Sequence, residues 1–434
     1  MKLNKRHNPF PVKSPYDGIY AHGVEIPFNS RQISISGQVG VSPDGTVVGG
    51  FGSACLEFFA KHNDGWLDED LYGGAINHPN PYYSLFNDTI NYYLTWNNQV
   101  ANNRYVVESD VNFSLYTPEL FINKQVVKNY NSGRLVGAEG FKYYDGKPSN
   151  VGAQSMGYIP SEGWFDQPYG LGSGVVKGLP TDNVYNAGAD AILKAAVIGE
   201  SNYANVSPDQ HLQITVGNAQ KDSIFEGYKK TVIQMTVPLS ELGNVNTNIN
   251  FSSINDLGSS VATQALSYID LKYPHTMNLG GVSVFDKFFV IKNTTQPKAY
   301  LNFNNFNGAS GVVFYELTNN KRIEVVANGS NFECLIPNSA ANEVECFITS
   351  VNEIKNINQL LPVSGTGFFE DYSTVSIDTA FVIITHPSLL NEANNYANYR
   401  TNGPGNNPEN AIVFNINDLY DQFAYGIEKH PLSI

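Results

Sequence analysis

Phe381-Val382-Ile383-Ile384-Thr385-His386-Pro387-Ser388-Leu389-Leu390, followed by Asn391-Glu392-Ala393-Asn394-Asn395-Tyr396-Ala397-Asn398-Tyr399-Arg400, is the stretch that decides the fold. Residues 381–384 form a continuous β-prone apolar run, the pattern of a strand buried on both faces and hence of a parallel sheet. His386-Pro387 stops it. Ser388 is the expected N-cap of a helix with Glu392 in its early turns. Leu389, Ala393, Tyr396 and Ala397 fall at helical spacing and give that helix one apolar face for the sheet. Gly403-Pro404-Gly405 ends it. Residues 411–416 read as a second buried strand, and Asn417 as the cap of a short helix through Asp418, Leu419, Tyr420 and Phe423. Together these make one βαβ unit.

A strand buried on both faces needs neighbours on both sides and helices above and below, which two strands do not supply. Residues 431–434 read as the opening of another helix. The chain is therefore expected to be the N-terminal part of a larger protein whose α/β domain has only begun.

The rest is different in kind. The 434 residues include 38 Gly, 22 Pro, 26 Tyr and 25 Phe with only 15% charged residues, a composition that suits an all-β, turn-rich, exported protein. A net charge of -14 with a pI near 5.0 argues against binding nucleic acid or an anionic membrane surface. No apolar run approaches the ~18 residues that span a membrane. The first ten residues have a charged head without a following apolar segment, so they do not read as a signal peptide.

Short apolar runs between turn residues (33–39, a Pro43-Asp44-Gly45 turn, 46–48) predict antiparallel β structure. Cys55 opens a β run that leads into an acidic loop with Asp64, Asp68, Glu69 and Asp70. Calcium is the ligand such a loop invites, although the spacing does not fit an EF-hand; the other reading is a plain solvated loop. The aromatic stretch from Tyr82 to Trp96 reads as strand and core, or as a platform for sugars or an extended peptide. Further strands are expected at 192–198, 211–216, 231–237, 344–349 and 375–385. Cys334 and Cys346 lie in two apolar segments joined by Pro337-Asn338-Ser339-Ala340; as hairpin neighbours they form a disulfide or stay as two buried thiols.

Several of these segments together resemble a known family. Leu56-Glu57-Phe58-Phe59-Ala60 through Gly65-Trp66, with Asn80-Pro81-Tyr82 and Tyr92-Tyr93-Leu94-Thr95-Trp96, resembles the N-terminal β region of gingipain-type cysteine peptidases, closest to their type IX secretion sortase group. Ser161-Glu162-Gly163-Trp164-Phe165, Ser267-Tyr268-Ile269-Asp270 and Phe314-Tyr315-Glu316-Leu317-Thr318 follow in the order that family shows. The resemblance runs from about residue 50 to the end. It implies antiparallel β-sandwich domains at 1–165 and 166–372, then at 373–434 the first βαβ unit of an incomplete caspase-like α/β domain. It also implies an extracellular or outer-membrane location, with the remainder of the peptidase domain, protein substrates or outer-membrane secretion components as partners.

The family's catalytic His and nucleophilic Cys follow later strands of that domain, so no residue here inherits a catalytic role. His386 sits at the carboxyl end of a parallel strand, where open α/β sheets place their sites, but no cysteine follows it. Cys55 and His62 fall on opposite faces of one strand. His211 starts a strand, His275 follows a turn proline, and no Ser/His/Asp arrangement or phosphate loop is present. Asn112-Phe113-Ser114 and Asn293-Thr294-Thr295 are triplets expected by chance in so Asn-rich a chain. The rival class is a surface adhesin or carbohydrate-binding β-sandwich that uses Trp66, Trp96 or Trp164.

Overall fold

The computed structural model describes the strand backbone at 23–25, 40–41 and 47–48, and residues 57–61, 63–93, 105–131, 140–146, 158–356, 361–363, 368–372, 375, 379–403 and 409–434. Cys55, His62, Trp96 and the run 33–39 lie outside the described residues. The chain divides into two units, one made of Glu69–Tyr82 with Arg104–Ile354, the other of Met1–Asp68, Tyr83–Asn103 and Lys355–Ile434.

The first unit follows from alternating patterns. In Gln210–Val216 every second residue is buried, and Lys230–Val237 and Asn246–Ser253 alternate in the same way. Such strands can cover only one side of a core, so they pair into facing sheets. The largest sheet has nine strands, in the order Lys230–Val237, Ala191–Gly199, Gln264–Thr276, Phe121–Asn129, Val284–Ile291, Glu343–Ser350, Val312–Glu316, Lys321–Ile323 and Val106–Glu108. All neighbours are antiparallel except the last pair. Phe121–Asn129, from the stretch expected in the first domain, sits beside Gln264–Thr276 from the second, register Asp270 opposite Val127.

Two smaller sheets face it. Leu212, Ile214, Ile249 and Phe251, from the four-stranded sheet of Ala219–Phe225, Gln210–Val216, Asn246–Ser253 and Gly174–Pro180, share one core with Leu193, Val197, Ile269 and Leu271. Leu301, Phe303, Cys334 and Ile336, from the three-stranded sheet of Lys298–Phe303, Asn331–Pro337 and Val326–Asn328, share another with Phe288, Phe314, Cys346 and Ile348. Each fully buried side chain of this size contributes about 1.5–3 kcal/mol.

Of the two readings of the cysteines, the buried thiols hold and the hairpin does not. Asn331–Pro337 and Glu343–Ser350 are not hairpin partners; they pair in different sheets. Cys334 and Cys346 are fully buried free thiols in the core between those sheets.

In the second unit, Gly23–Glu25 pairs with Asn91–Tyr93 and Gly40–Val41 with Val47–Val48. Near its end the expected βαβ unit is present. Ala380–Thr385 and Asn410–Asn415 run parallel in register, Ile383 opposite Val413, joined by the helix Leu390–Asn402. Gly403 ends that helix, its N–H bonded to the Tyr399 carbonyl at 2.8 Å.

Three details differ from expectation. The strand is not buried on both faces: Val382 and Ile384 remain 43% and 38% exposed. The helix, whose buried residues are Ala393 and Ala397, covers only one side of a two-stranded sheet. Leu389 precedes the helix and is exposed, and Tyr396 is half exposed with its ring edge-on to Phe381. The caps are displaced as well. His386, not Ser388, caps a 3-10 turn at Pro387–Leu389, and Asn415, not Asn417, caps the helix Ile416–Phe423. Both caps are extended residues at the end of a strand, so each strand's last residue or the one after it supplies the acceptor for the next turn.

Candidate functional site

The carboxyl ends of parallel strands are where α/β sheets place their chemistry. Thr385 and Asn415 stand opposite each other there, with His386 next along the chain. His386 Nδ1 lies 2.8 Å from Ser388 Oγ and accepts the Ser388 N–H at 3.2 Å; Asn415 Oδ1 accepts the Asn417 N–H at 3.1 Å. These groups satisfy helix starts.

Among the acidic side chains of the loop Asp68 alone is buried; Asp64 and Glu69 are half-buried and Asp70 is exposed. Lys61 pairs with Asp64. Asp68 is fully buried: its carboxylate accepts Ser84 Oγ at 2.9 and 3.0 Å and the Leu85 N–H at 3.0 Å. His430, also fully buried, brings Nε2 to 3.3 Å from Asp68 Oδ1 while Nδ1 accepts the Leu432 N–H at 3.3 Å. The Nε2 edge of the ring faces the carboxylate without forming a hydrogen bond to it. The Phe86 ring meets the imidazole edge-on at 4.8 Å.

A second, half-buried contact lies beside the first in sequence. Tyr93 Oη donates to Asp421 Oδ1 at 2.7 Å and Asn91 Nδ2 donates to the same oxygen at 3.1 Å. Burial pushes the Asp421 carboxyl up, against the pull of the two donated bonds. Gly426, at φ +75°, lets the chain approach Asn91 so closely that a Cβ would sit 2.2 Å from its amide nitrogen. Leu67, Ile90, Ala424 and Ile427 form the core behind these contacts, with Trp66 edge-on to Tyr425 at 5.0 Å. The segments 63–68, 83–93 and 420–434 are thus joined as one small polar-and-apolar clamp. Sequence reading missed it, because nothing local in Asp68 or His430 names the other.

Elsewhere the predicted histidines are structural. His211 lies between two carboxylates, Nδ1 2.8 Å from Asp256 and Nε2 3.3 Å from Asp222. His275 is fully buried, its Nδ1 2.6 Å from the Thr276 carbonyl oxygen, and burial lowers its pKa. Burial raises Glu200 to about 7, against a bond from the Tyr144 hydroxyl, and lowers Lys230 to about 8, its ammonium donating to the His78 carbonyl at 2.6 Å. Burial pushes both thiols up, which leaves them poor nucleophiles. Among the described residues no three His, Cys, Asp or Glu side chains gather as a metal-binding group. No helix there is long and apolar enough to cross a membrane.

No family model matches the chain, and no curated protein does. Among solved structures it is similar to dimeric latent PorU from Porphyromonas gingivalis, with a TM-score of 0.53 and 10% identity, over 96% of this chain and 39% of that one. The likeness is one of fold, and the chain spans well under half of that protein's length. The CBM36-1 domain of a multidomain xylanase from the hindgut metagenome of Trinervitermes trinervoides also matches over 34% of this chain and 95% of its own, at 11% identity; its TM-score of 0.19 carries no argument.

Proposed function

We propose that this chain is the non-catalytic N-terminal scaffold of a gingipain-like cysteine endopeptidase of the type IX secretion kind, acting at the cell surface. The observation that carries the reading is the parallel pair Ala380–Thr385 and Asn410–Asn415, apolar and, among the described residues, half uncovered. The PorU-like fold over 96% of the chain supports it. The clamp made by Asp68, His430, Tyr93 and Asp421 ties the acidic loop to the residues that follow the parallel pair, and so holds that pair ready for further strands. Partners on this reading are the remainder of the peptidase domain and secretion components of the outer membrane.

The test is a peptidase assay on the purified chain against a broad fluorogenic peptide panel, with and without a thiol-directed inhibitor. No cleavage is expected. Turnover that survives replacement of Cys55, Cys334 and Cys346 together would overturn the reading.

Of the tryptophans that the binding-module reading relies on, Trp66 packs against the clamp core, whereas Trp164 lies on a two-stranded ribbon whose neighbouring rings are exposed.

A further inference from the structure

The ribbon Lys142–Tyr144 with Gly163–Phe165 has two unlike faces. Tyr143 stands opposite Trp164, so both project to one side; Lys142 stands opposite Phe165, whose fully buried ring packs inward on Ile198 and Ala265. On the outward side the Tyr143 and Trp164 rings meet at 72° with centroids 5.8 Å apart, a corner rather than a stack. Phe141 and Tyr143 remain 54% and 42% exposed, and Tyr158, edge-on to Tyr72 at 5.3 Å, 39%. Glu162 lies between the two sets of rings. Its Oε2 accepts the Tyr143 hydroxyl at 3.4 Å, and its Oε1 accepts the Tyr72 hydroxyl.

We propose that this corner, built from Phe141, Tyr143, Trp164, Tyr158 and Glu162, binds a neutral carbohydrate. The Glu162 carboxylate selects the occupant. The Tyr143 and Tyr72 hydroxyls both donate to Glu162, and burial followed by the Glu162 charge raises Tyr143 to about 12. The corner therefore presents apolar ring faces and a carboxylate acceptor edge. Sugar hydroxyls donate to such an edge while the C–H face of the ring lies on an aromatic side chain. A proline-rich peptide brings carbonyl acceptors against the Glu162 carboxylate, itself an acceptor. An anionic glycan meets the Glu162 carboxylate on a chain of net charge -14. The scaffold reading neither requires this site nor falls with it.

The test titrates the purified chain by calorimetry with cellohexaose, xylohexaose and chitohexaose, beside a sialylated oligosaccharide and a polyproline peptide. Saturable binding of at least one neutral hexaose is expected, weakened about tenfold or more by Trp164→Ala and by Tyr143→Ala. Phe141→Ser, at the most exposed of the rings, repeats the test without touching the ribbon's packed face. The proposal is overturned if no neutral hexaose binds, if binding is unchanged in the variants that fold, or if the sialylated or polyproline probe binds in preference.

Discussion

Strands Gln264–Thr276 and Ala380–Thr385 invert the simple expectation that the more apolar run is the more buried. The first contains Gln264, Asp270, Lys272 and His275, yet most of its thirteen residues are buried, because it has a paired strand on each side. The second reads Ala-Phe-Val-Ile-Ile-Thr, yet among the described residues it has one strand partner and one covering helix, so Val382 and Ile384 stay partly in water. Burial is set by neighbours. Local hydrophobicity states only what a strand is suited for, and in Ala380–Thr385 that suitability exceeds what the surrounding residues use.

The widest gap between the two regions is expected in core truncation. Phe288 is fully buried with Phe285, Phe303 and Phe314 around it, so Phe288→Ala is expected to cost about 3–5 kcal/mol in denaturant unfolding. Val382→Ser, on the uncovered face of the parallel pair, is expected to change stability by no more than about 0.5 kcal/mol. A large cost at Val382 would mean that this face is already covered and would break the comparison.

The clamp gives the next effect. Asp68→Ala leaves Ser84 Oγ and the Leu85 N–H without their acceptor and removes the carboxylate facing His430 in a dry site, a loss of about 3 kcal/mol. Amide exchange is expected to speed up at 424–434 and to stay unchanged in Gln264–Thr276. Equal loss of protection in both would show that the two units unfold as one.

Glu200 sharpens the comparison from the sandwich side. Its folded pKa, raised from 4.5 to about 7, means the folded state holds its proton more tightly than the unfolded chain. Its stabilising contribution is complete below pH 4.5 and falls away as pH rises towards 7, by on the order of 1–2 kcal/mol once its partial exposure is allowed for. Glu200→Gln is expected to flatten that slope in unfolding measured at about pH 5 and about pH 8. The smallest effect is at the thiols: Cys334 and Cys346, fully buried, are expected to resist alkylation in the folded chain and to react after denaturation, as peptide mapping would show.

Much of this fold was legible because it is periodic. Alternation located Ala191–Gly199, Gln210–Val216 and Lys230–Val237 to within a residue or two, and the apolar runs about 381 and 411 gave the parallel pair with its helix. Caps shifted by two residues, because His386 and Asn415 are as able to accept a backbone N–H as the Ser388 and Asn417 beside them. The clamp was not legible at all. Asp68 sits in an acidic run that reads as solvated, and His430 in a tail with no periodicity; only the folded chain brings them within 3.3 Å. The two buried thiols were among the readings, but their placement on one hairpin was not right, since a short connection between two strands does not say whether they share a sheet or face each other across a core. Trp66 and Trp164 looked equivalent in sequence and were separated only by where the structure puts them.

The measurement that tests the central claim most directly is to read the coding DNA beyond the codon for Ile434 and translate it in every frame. The account predicts further βα units, with a His and a Cys following strand ends, that would cover Val382 and Ile384 and complete the parallel sheet. A stop with no such sequence beyond it would contradict the scaffold reading, and leave the parallel pair as a feature of ancestry alone.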